Sequence, residues 1–143
     1  MSGYLLDINV VIALIDPSHV HHARAHAWFA AEGRSEWLSS PTTQNGVLRI
    51  VSHPRYSNSQ PPAVVARSVT SLLAVGGHRF VADRVSLLDS TVIDPDALLS
   101  SGQLTDTYLV ALAAAERARL ATFDRRIVTG AVQAPGIHLI QVP

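Results

Sequence analysis

Three aspartates, Asp7, Asp106 and Asp124, carry the most chemical promise in this sequence. Each stands where a short apolar run ends or a helix begins. In a parallel sheet such positions gather at the carboxyl edge of the strands, where ligands bind. Three carboxylates brought together beside apolar walls repel one another, so one would take up a proton or the fold would suffer. A divalent cation removes that conflict. Hard oxygen ligands suit Mg²⁺ or Mn²⁺, which keep several waters and use few protein carboxylates. Water on such an ion is a stronger nucleophile, and the ion offsets charge on a phosphodiester as its bond breaks. Taken singly, Asp7 could cap a helix beginning near Asn9, Asp106 could cap a later one, and Asp124 could open a turn with Arg125 and Arg126. The joint pattern carries the weight.

The elements that must position these acids can be read from hydrophobic patterning. Gly3 to Asp7 is a short apolar run ended by a polar residue, a buried strand delivering Asp7 at its C-terminal end. Asn9 to Ile15 is apolar enough for a buried helix, stopped at Asp16-Pro17, and Ser18 can cap a second helix that runs past Trp28 and Phe29 to Gly33. Glu36 to Ser40 reads as a strand, and Thr42 opens a helical pattern that His53-Pro54 ends. Arg55 to Pro62 is a polar loop, Ala63 to Val75 a helix stopped by Gly76-Gly77, and Arg79 to Asp83 a strand. Val85 to Gln103 is weakly patterned, with a helical turn at Asp96 to Leu99. Thr105 to Arg119 is the strongest helix, Ala-rich, capped by Thr105 or Asp106, with Arg117 and Arg119 complementing its C-terminal dipole. Leu120 to Asp124 and Ile137 to Val142 are further strands. Strands alternating with helices predict an α/β fold around a mainly parallel sheet.

Composition narrows the classes. A chain of 143 residues fits a single domain, 1–143, and 48% hydrophobic residues supply a core without staples. Cysteine is absent, which removes disulfides, thiolate metal sites and a cysteine nucleophile. The start, Met1-Ser2-Gly3-Tyr4, lacks the basic region and long apolar stretch of a signal peptide, and no apolar segment spans a bilayer, so the expectation is a cytoplasmic protein that does not engage a membrane. Formal net charge is zero, so any contact with a polyanion must be local. All eleven basic residues are arginine, whose planar fork matches phosphate.

Leu6-Asp7-Ile8-Asn9-Val10, the stretch Leu104-Thr105-Asp106-Thr107-Tyr108 that runs on to Ala113, and Ala121-Thr122-Phe123-Asp124-Arg125-Arg126 resemble the acidic motifs of PIN-domain nucleases. The whole chain resembles the VapC toxins of bacterial toxin–antitoxin pairs, with Asp16-Pro17-Ser18-His19, His22, Trp28 and Gly46-Val47-Leu48-Arg49-Ile50 also in that family's style. The resemblance implies a three-layer α/β/α sandwich and an endoribonuclease using Mg²⁺ or Mn²⁺. It implies tRNA or ribosomal RNA as substrate, a homodimer, and inhibition by a cognate antitoxin. By the same resemblance Asp7, Asp106 and Asp124 are metal ligands, Asn9 and Thr122 support them by hydrogen bonding, and Arg49 contacts structure or substrate. Arg125 and Arg126 could touch RNA phosphates at the rim or form a solvated turn. An antitoxin helix could lie in a groove left by the apolar helices Asn9–Ile15 and Ala63–Val75.

One departure stands out. The PIN pattern places a glutamate in the helix after the second strand, where this chain has Thr42-Thr43-Gln44-Asn45-Gly46, with Gln44 at the matching position. Glutamine offers a carbonyl oxygen but no charge, so Gln44 is expected as a neutral member of the site. The departure also opens an alternative: a degenerate PIN-like module that binds RNA or a protein partner without cleaving. Other chemistries fare worse. His19, His22 and His26 share a helical face but lack a cysteine or nearby acid to complete a zinc site. A strand-end aspartyl nucleophile needs a second acid two residues on, where Asn9 stands, and a serine hydrolase needs a Gly-x-Ser-x-Gly elbow that the chain lacks.

Overall fold

The computed structural model describes residues 3–142, so Met1, Ser2 and Pro143 at the ends of the expected 1–143 domain lie outside the described residues. Five strands form one wholly parallel sheet in the order β3-β2-β1-β4-β5. They are β1 (Tyr4–Leu6), β2 (Trp37–Ser39), β3 (His78–Phe80), β4 (Arg119–Thr122) and β5 (Ile137–Leu139). The helices are α1 (Ile8–Ile15), α2 (His22–Ala31), α3 (Pro41–Val51), α4 (Pro62–Leu73) and α5 (Leu104–Ala115). Together they make the three-layer α/β/α sandwich that the alternation and the resemblance imply. The first strand in sequence is the central one, paired with β2 on one side and β4 on the other. Its residues show why: Leu5 and Leu6 are fully buried, as are Trp37, Leu38, Leu120 and Ala121 beside them. Arg79 and Phe80 on the edge strand β3 are exposed, and a charged side chain there discourages edge pairing. Among the described residues, no helix is long and apolar enough to cross a membrane.

Helix α1 lies in the interior, with Val10, Val11, Ile12, Ala13 and Leu14 all buried. It reaches two clefts: Asn9 and Ile12 line one with Asp7, and Ile15 lines a small one of about 30 Å³ with Val65 and Ser68 of α4. A shallow apolar cleft of about 120 Å³ lies between α3 and α4, lined by Leu48, Val69 and Leu73. The last carbonyls of α1 have no partner within the helix. His22 Nδ1 meets the Ala13 carbonyl at 2.7 Å and His26 Nε2 the Leu14 carbonyl at 2.8 Å, so these rings close the helix end. His19 lies ahead of α2, off the face that His22 and His26 share, because α2 begins at His22 and not at Ser18. The reason is Asp16, whose Oδ1 accepts the Ser18 amide at 2.9 Å and bends the chain into a turn. Asp16 is buried. Hydrogen bonds from Tyr56, Asn58 and Ser18 overcome the upward push of burial and hold its carboxyl below the usual carboxylate range.

Two helix ends differ from their sequence reading. Ser40, not Thr42, caps α3: its Oγ accepts the Thr43 amide, and Pro41 fills the first position, where its missing donor costs nothing. Helix α5 stops at Ala115, so Arg117 and Arg119 lie beyond it and Arg119 belongs to β4. The stop is a Schellman motif: Arg117 N–H donates to the Ala114 carbonyl at 3.1 Å and Ala118 N–H to the Ala113 carbonyl at 2.9 Å. Its left-handed position, usually glycine, holds Arg117 at φ 55. An L side chain there costs roughly 1–2 kcal/mol. Arg117→Gly is therefore expected to stabilise the fold by about 0.5–1 kcal/mol, since glycine also loses more entropy on folding. A denaturation midpoint that fell on this substitution would contradict the strain argument.

At its other end α5 follows a tight turn, Ser101–Gln103, closed by a capping box between Ser100 and Gln103. Neither Thr105 nor Asp106 caps the helix. Both sit in its first turn, where the amide dipoles favour a negative charge on Asp106.

Candidate functional site

Asp7 occupies the junction between β1 and α1. Its Oδ1 accepts the Ile8 amide at 2.7 Å, which makes it the cap of α1, and its own N–H donates to the Ala121 carbonyl at 2.9 Å. Its Oδ2 accepts the Thr122 hydroxyl at 2.7 Å. Thr122 is fully buried at the end of β4, and its Oγ1 also accepts the Asp124 amide at 3.0 Å and the Asn9 side-chain amide at 3.4 Å. Asn9 Oδ1 in turn accepts the Phe123 amide at 3.5 Å. One hydroxyl thus ties Asp7 on the first strand to Asp124 after the fourth. Parallel pairing makes this possible, because it brings the C-terminal ends of β1 and β4 to the same edge.

Asp106 joins them from the first turn of α5. Asp7, Asp106, Asp124, Asn9, Thr105 and Arg49 line one cleft of about 300 Å³. Ile12 and Ile50 supply apolar wall. A larger cleft of about 460 Å³ lies elsewhere, between the loops around Ile93 and Ala131. Its one ionisable group, Asp94, accepts the Asp96 amide as the cap of a short turn. The chemistry is in the smaller one.

The electrostatics of that cleft are strained in the way three gathered acids imply. Burial pushes the Asp7 carboxyl up from 3.8 to about 6; repulsion from Asp106 and Asp124 adds to this, while the Thr122 and Ile8 hydrogen bonds oppose it. Burial, then repulsion from Asp124, also raises Asp106. Among the described residues, no three His, Cys, Asp or Glu side chains converge closely enough to form a ready-made metal cage. The arrangement is open: three hard-oxygen donors around a cleft, the most buried of them, Asp7, with the highest proton affinity. That donor set fits Mg²⁺ or Mn²⁺, which bind through one or two carboxylates and retained waters, and does not fit a cation that needs a closed protein shell.

The remaining expected residues divide. Gln44 does not reach this cleft: it lines the α3–α4 cleft, and its Nε2 donates to Ser39 Oγ at 3.0 Å. The surface of α3 against α1 is instead Gly46, where an added Cβ would lie 2.4 Å from Ile8 Cδ1. Arg125 and Arg126 are exposed just after Asp124, and the Arg126 amide donates to Asp124 Oδ1 at 2.8 Å. That bond closes the turn which the sequence offered as an alternative. Thr105, read only as a possible cap, is a wall of the site; nothing in its type distinguished it.

Acids from three elements thus meet at the carboxyl edge of a parallel sheet, a donor set that fits a hard divalent cation. The PIN domain model matches residues 4–131. The chain is 44% identical to Ribonuclease VapC44 of Mycobacterium tuberculosis over 131 residues, covering 90% of each chain. It is 42% identical to Ribonuclease VapC38 of the same organism over 132 residues, covering 92% of each. Among solved structures it is similar to VapBC2 from Rickettsia felis bound to a DNA fragment from their promoter, with a TM-score of 0.62 and 11% identity, covering 96% of this chain and 98% of that one. A second is Mycobacterium tuberculosis VapC20, described as a sarcin-ricin loop cleaving toxin, with a TM-score of 0.61 and 13% identity, covering 93% and 99%. The chain belongs to the PIN-domain family, among its VapC ribonucleases. Ribonucleases of this family generally depend on a divalent metal.

Proposed function

We propose that this chain is a Mg²⁺- or Mn²⁺-dependent endoribonuclease, the toxin of a type II toxin–antitoxin pair, with Asp7, Asp106 and Asp124 as its metal ligands. The observation that carries this reading is the meeting of those three acids, drawn from β1, α5 and the end of β4, in one cleft. A bound ion would supply an activated water and offset the charge of a phosphodiester. The protein's own part is positioning. Thr122 and the Ile8 amide fix both oxygens of Asp7, and the Thr122 hydroxyl and the Arg126 amide fix Asp124 at its backbone and side chain. Asp106 stands on a helix whose first-turn dipoles favour its ionised form. Arg49, Arg125 and Arg126 are the candidates for phosphate contact. The substrate read from the family is structured RNA, tRNA or ribosomal RNA, cut in the cytoplasm by a homodimer that a cognate antitoxin holds inactive. The VapBC complex among the similar structures supports the partner class.

The test is cleavage of total bacterial RNA by the purified protein in Mg²⁺ and in Mn²⁺. Discrete cuts are expected, lost with chelator and reduced at least about 100-fold in Asp106→Asn, as for removal of a group that acts in the transition state. Expression without an antitoxin is expected to arrest growth, and Asp106→Asn to relieve the arrest. If the folded protein cut nothing with either metal yet bound RNA or a partner, the degenerate-module reading would take its place.

A further inference from the structure

The cleft contains one fixed positive charge, and its surroundings are unusual. Arg49 lines it together with Asp7, Asp106 and Asp124, yet among the described residues its guanidinium makes no ion pair within 4.0 Å and no hydrogen bond. Arg79 and Arg84 both hold Glu116, at 3.5 and 2.9 Å; what sets Arg49 apart from the other unpaired arginines is its place in the wall of the cleft that the three acids line. Arg49 is exposed at the wall of this acidic cleft and keeps its planar fork of donors free there, a donor set matched to a phosphodiester.

The rest of α3 brings no acid to the cleft. Gly46 packs directly on Ile8, and the Gln44 amide is tied to Ser39. Three carboxylates and one guanidinium leave the cleft with two formal negative charges, the amount that one divalent cation neutralises. A second ion would leave the empty cleft doubly positive beside a guanidinium that cannot lose its proton.

We infer that the cleft holds a single divalent cation and that Arg49 acts where a second ion would, gripping the scissile phosphodiester. This rests on the ribonuclease reading above. Arg49 is then a substrate-binding residue whose charge also sets the metal stoichiometry.

The experiment counts ions apart from turnover. Mn²⁺ is titrated into the full chain and followed by calorimetry and by the electron paramagnetic resonance signal of free Mn²⁺. Wild type is expected to bind one ion per chain. In Arg49→Gln, that ion should bind about 3- to 10-fold more tightly, because a nearby like charge is gone. With chelator present, a short single-stranded RNA should bind Arg49→Gln about tenfold more weakly than wild type, by fluorescence anisotropy. Arg49→Lys should restore the wild-type Mn²⁺ affinity but only part of the RNA affinity, since lysine keeps the charge and loses the fork. Two ions in wild type with cleavage intact would overturn this inference and leave the ribonuclease reading standing. One ion in wild type, with neither affinity moved in Arg49→Gln, would also overturn it. No ion and no cleavage in wild type would overturn both readings.

Discussion

Asp7→Asn is expected to abolish RNA cleavage and, in chelator, to make the chain more stable at neutral pH than the wild type. Both effects come from one carboxylate that is 5% exposed and shares its cleft with two others. Its proton affinity in the fold rises from 3.8 to about 6, chiefly by burial. For an acid raised in this way, the stabilising contribution is complete below the unfolded value and is lost as pH climbs through the folded one. Metal-free wild type should therefore weaken between about pH 4 and pH 6 and stay flat above, by up to about 3 kcal/mol, the size of a two-unit shift. Asparagine keeps the cap on Ile8 and carries no charge to bury, while its amide nitrogen cannot accept the Thr122 hydroxyl as Asp7 Oδ2 does, which offsets part of the gain. Thermal melts in chelator at pH 4.5 and pH 7 separate the cases: the wild-type midpoint should fall by several degrees between them and the variant's by clearly less, since only the raised Asp106 remains. Adding Mg²⁺ at pH 7 should return the lost stability to the wild type alone, because an ion that binds only the folded state stabilises it by mass action. A wild type equally stable at both pH values would refute the account of Asp7.

Thr122→Val should cost both stability and activity. Valine has nearly the shape of threonine, so packing changes little, but Asp7 Oδ2 loses its donor in a buried setting and the Asp124 amide loses its acceptor in a partly buried one. An unsatisfied buried polar group costs about 1–3 kcal/mol. Residues that orient metal ligands through hydrogen bonds typically cost 10–100-fold in metal affinity or activity when removed, and a drop in that range is expected here. Thr122→Ser keeps the hydroxyl and should recover most of the activity while losing a little stability to the missing methyl. A Thr122→Val protein of wild-type turnover would remove Thr122 from the site's support.

Much of this site could be read from residue order. A buried strand ending in Asp7, an Ala-rich helix opening near Asp106 and a strand ending before Asp124 each leave a local pattern, and a parallel sheet leaves one edge for them to meet. Asn9 and Thr122 enter as supports only through the family resemblance; in the structure Asn9 donates to Thr122 and Thr122 to Asp7. What the sequence misplaced depends on direction around a helix or on distant partners. Gln44 points toward Ser39 because the next positions of α3 that meet α1 are Gly46 and Val47, a phase that the irregular Thr42 to Asn45 stretch does not reveal. The start of α2 depends on Asp16, whose carboxyl is organised by Tyr56 and Asn58 from another loop. The end of α5 has no glycine to announce it; Arg117 takes up the left-handed turn because the chain must enter β4 two residues later, at Arg119.

The bond between Thr122 and Asp7 joins residues 115 positions apart, and the central strand β1 waits for β4, made long after it. Contacts of such long range form late, because the loop they close must be ordered first. A fragment ending before residue 119 has the first carboxylate but neither the strand nor the hydroxyl that completes its surroundings. Cutting power should therefore arrive in a single step, once residues 119–124 have been made and β4 has joined β1. A ribosome that stalls before β4 would leave a harmless peptide, and one that passes it would leave a nuclease.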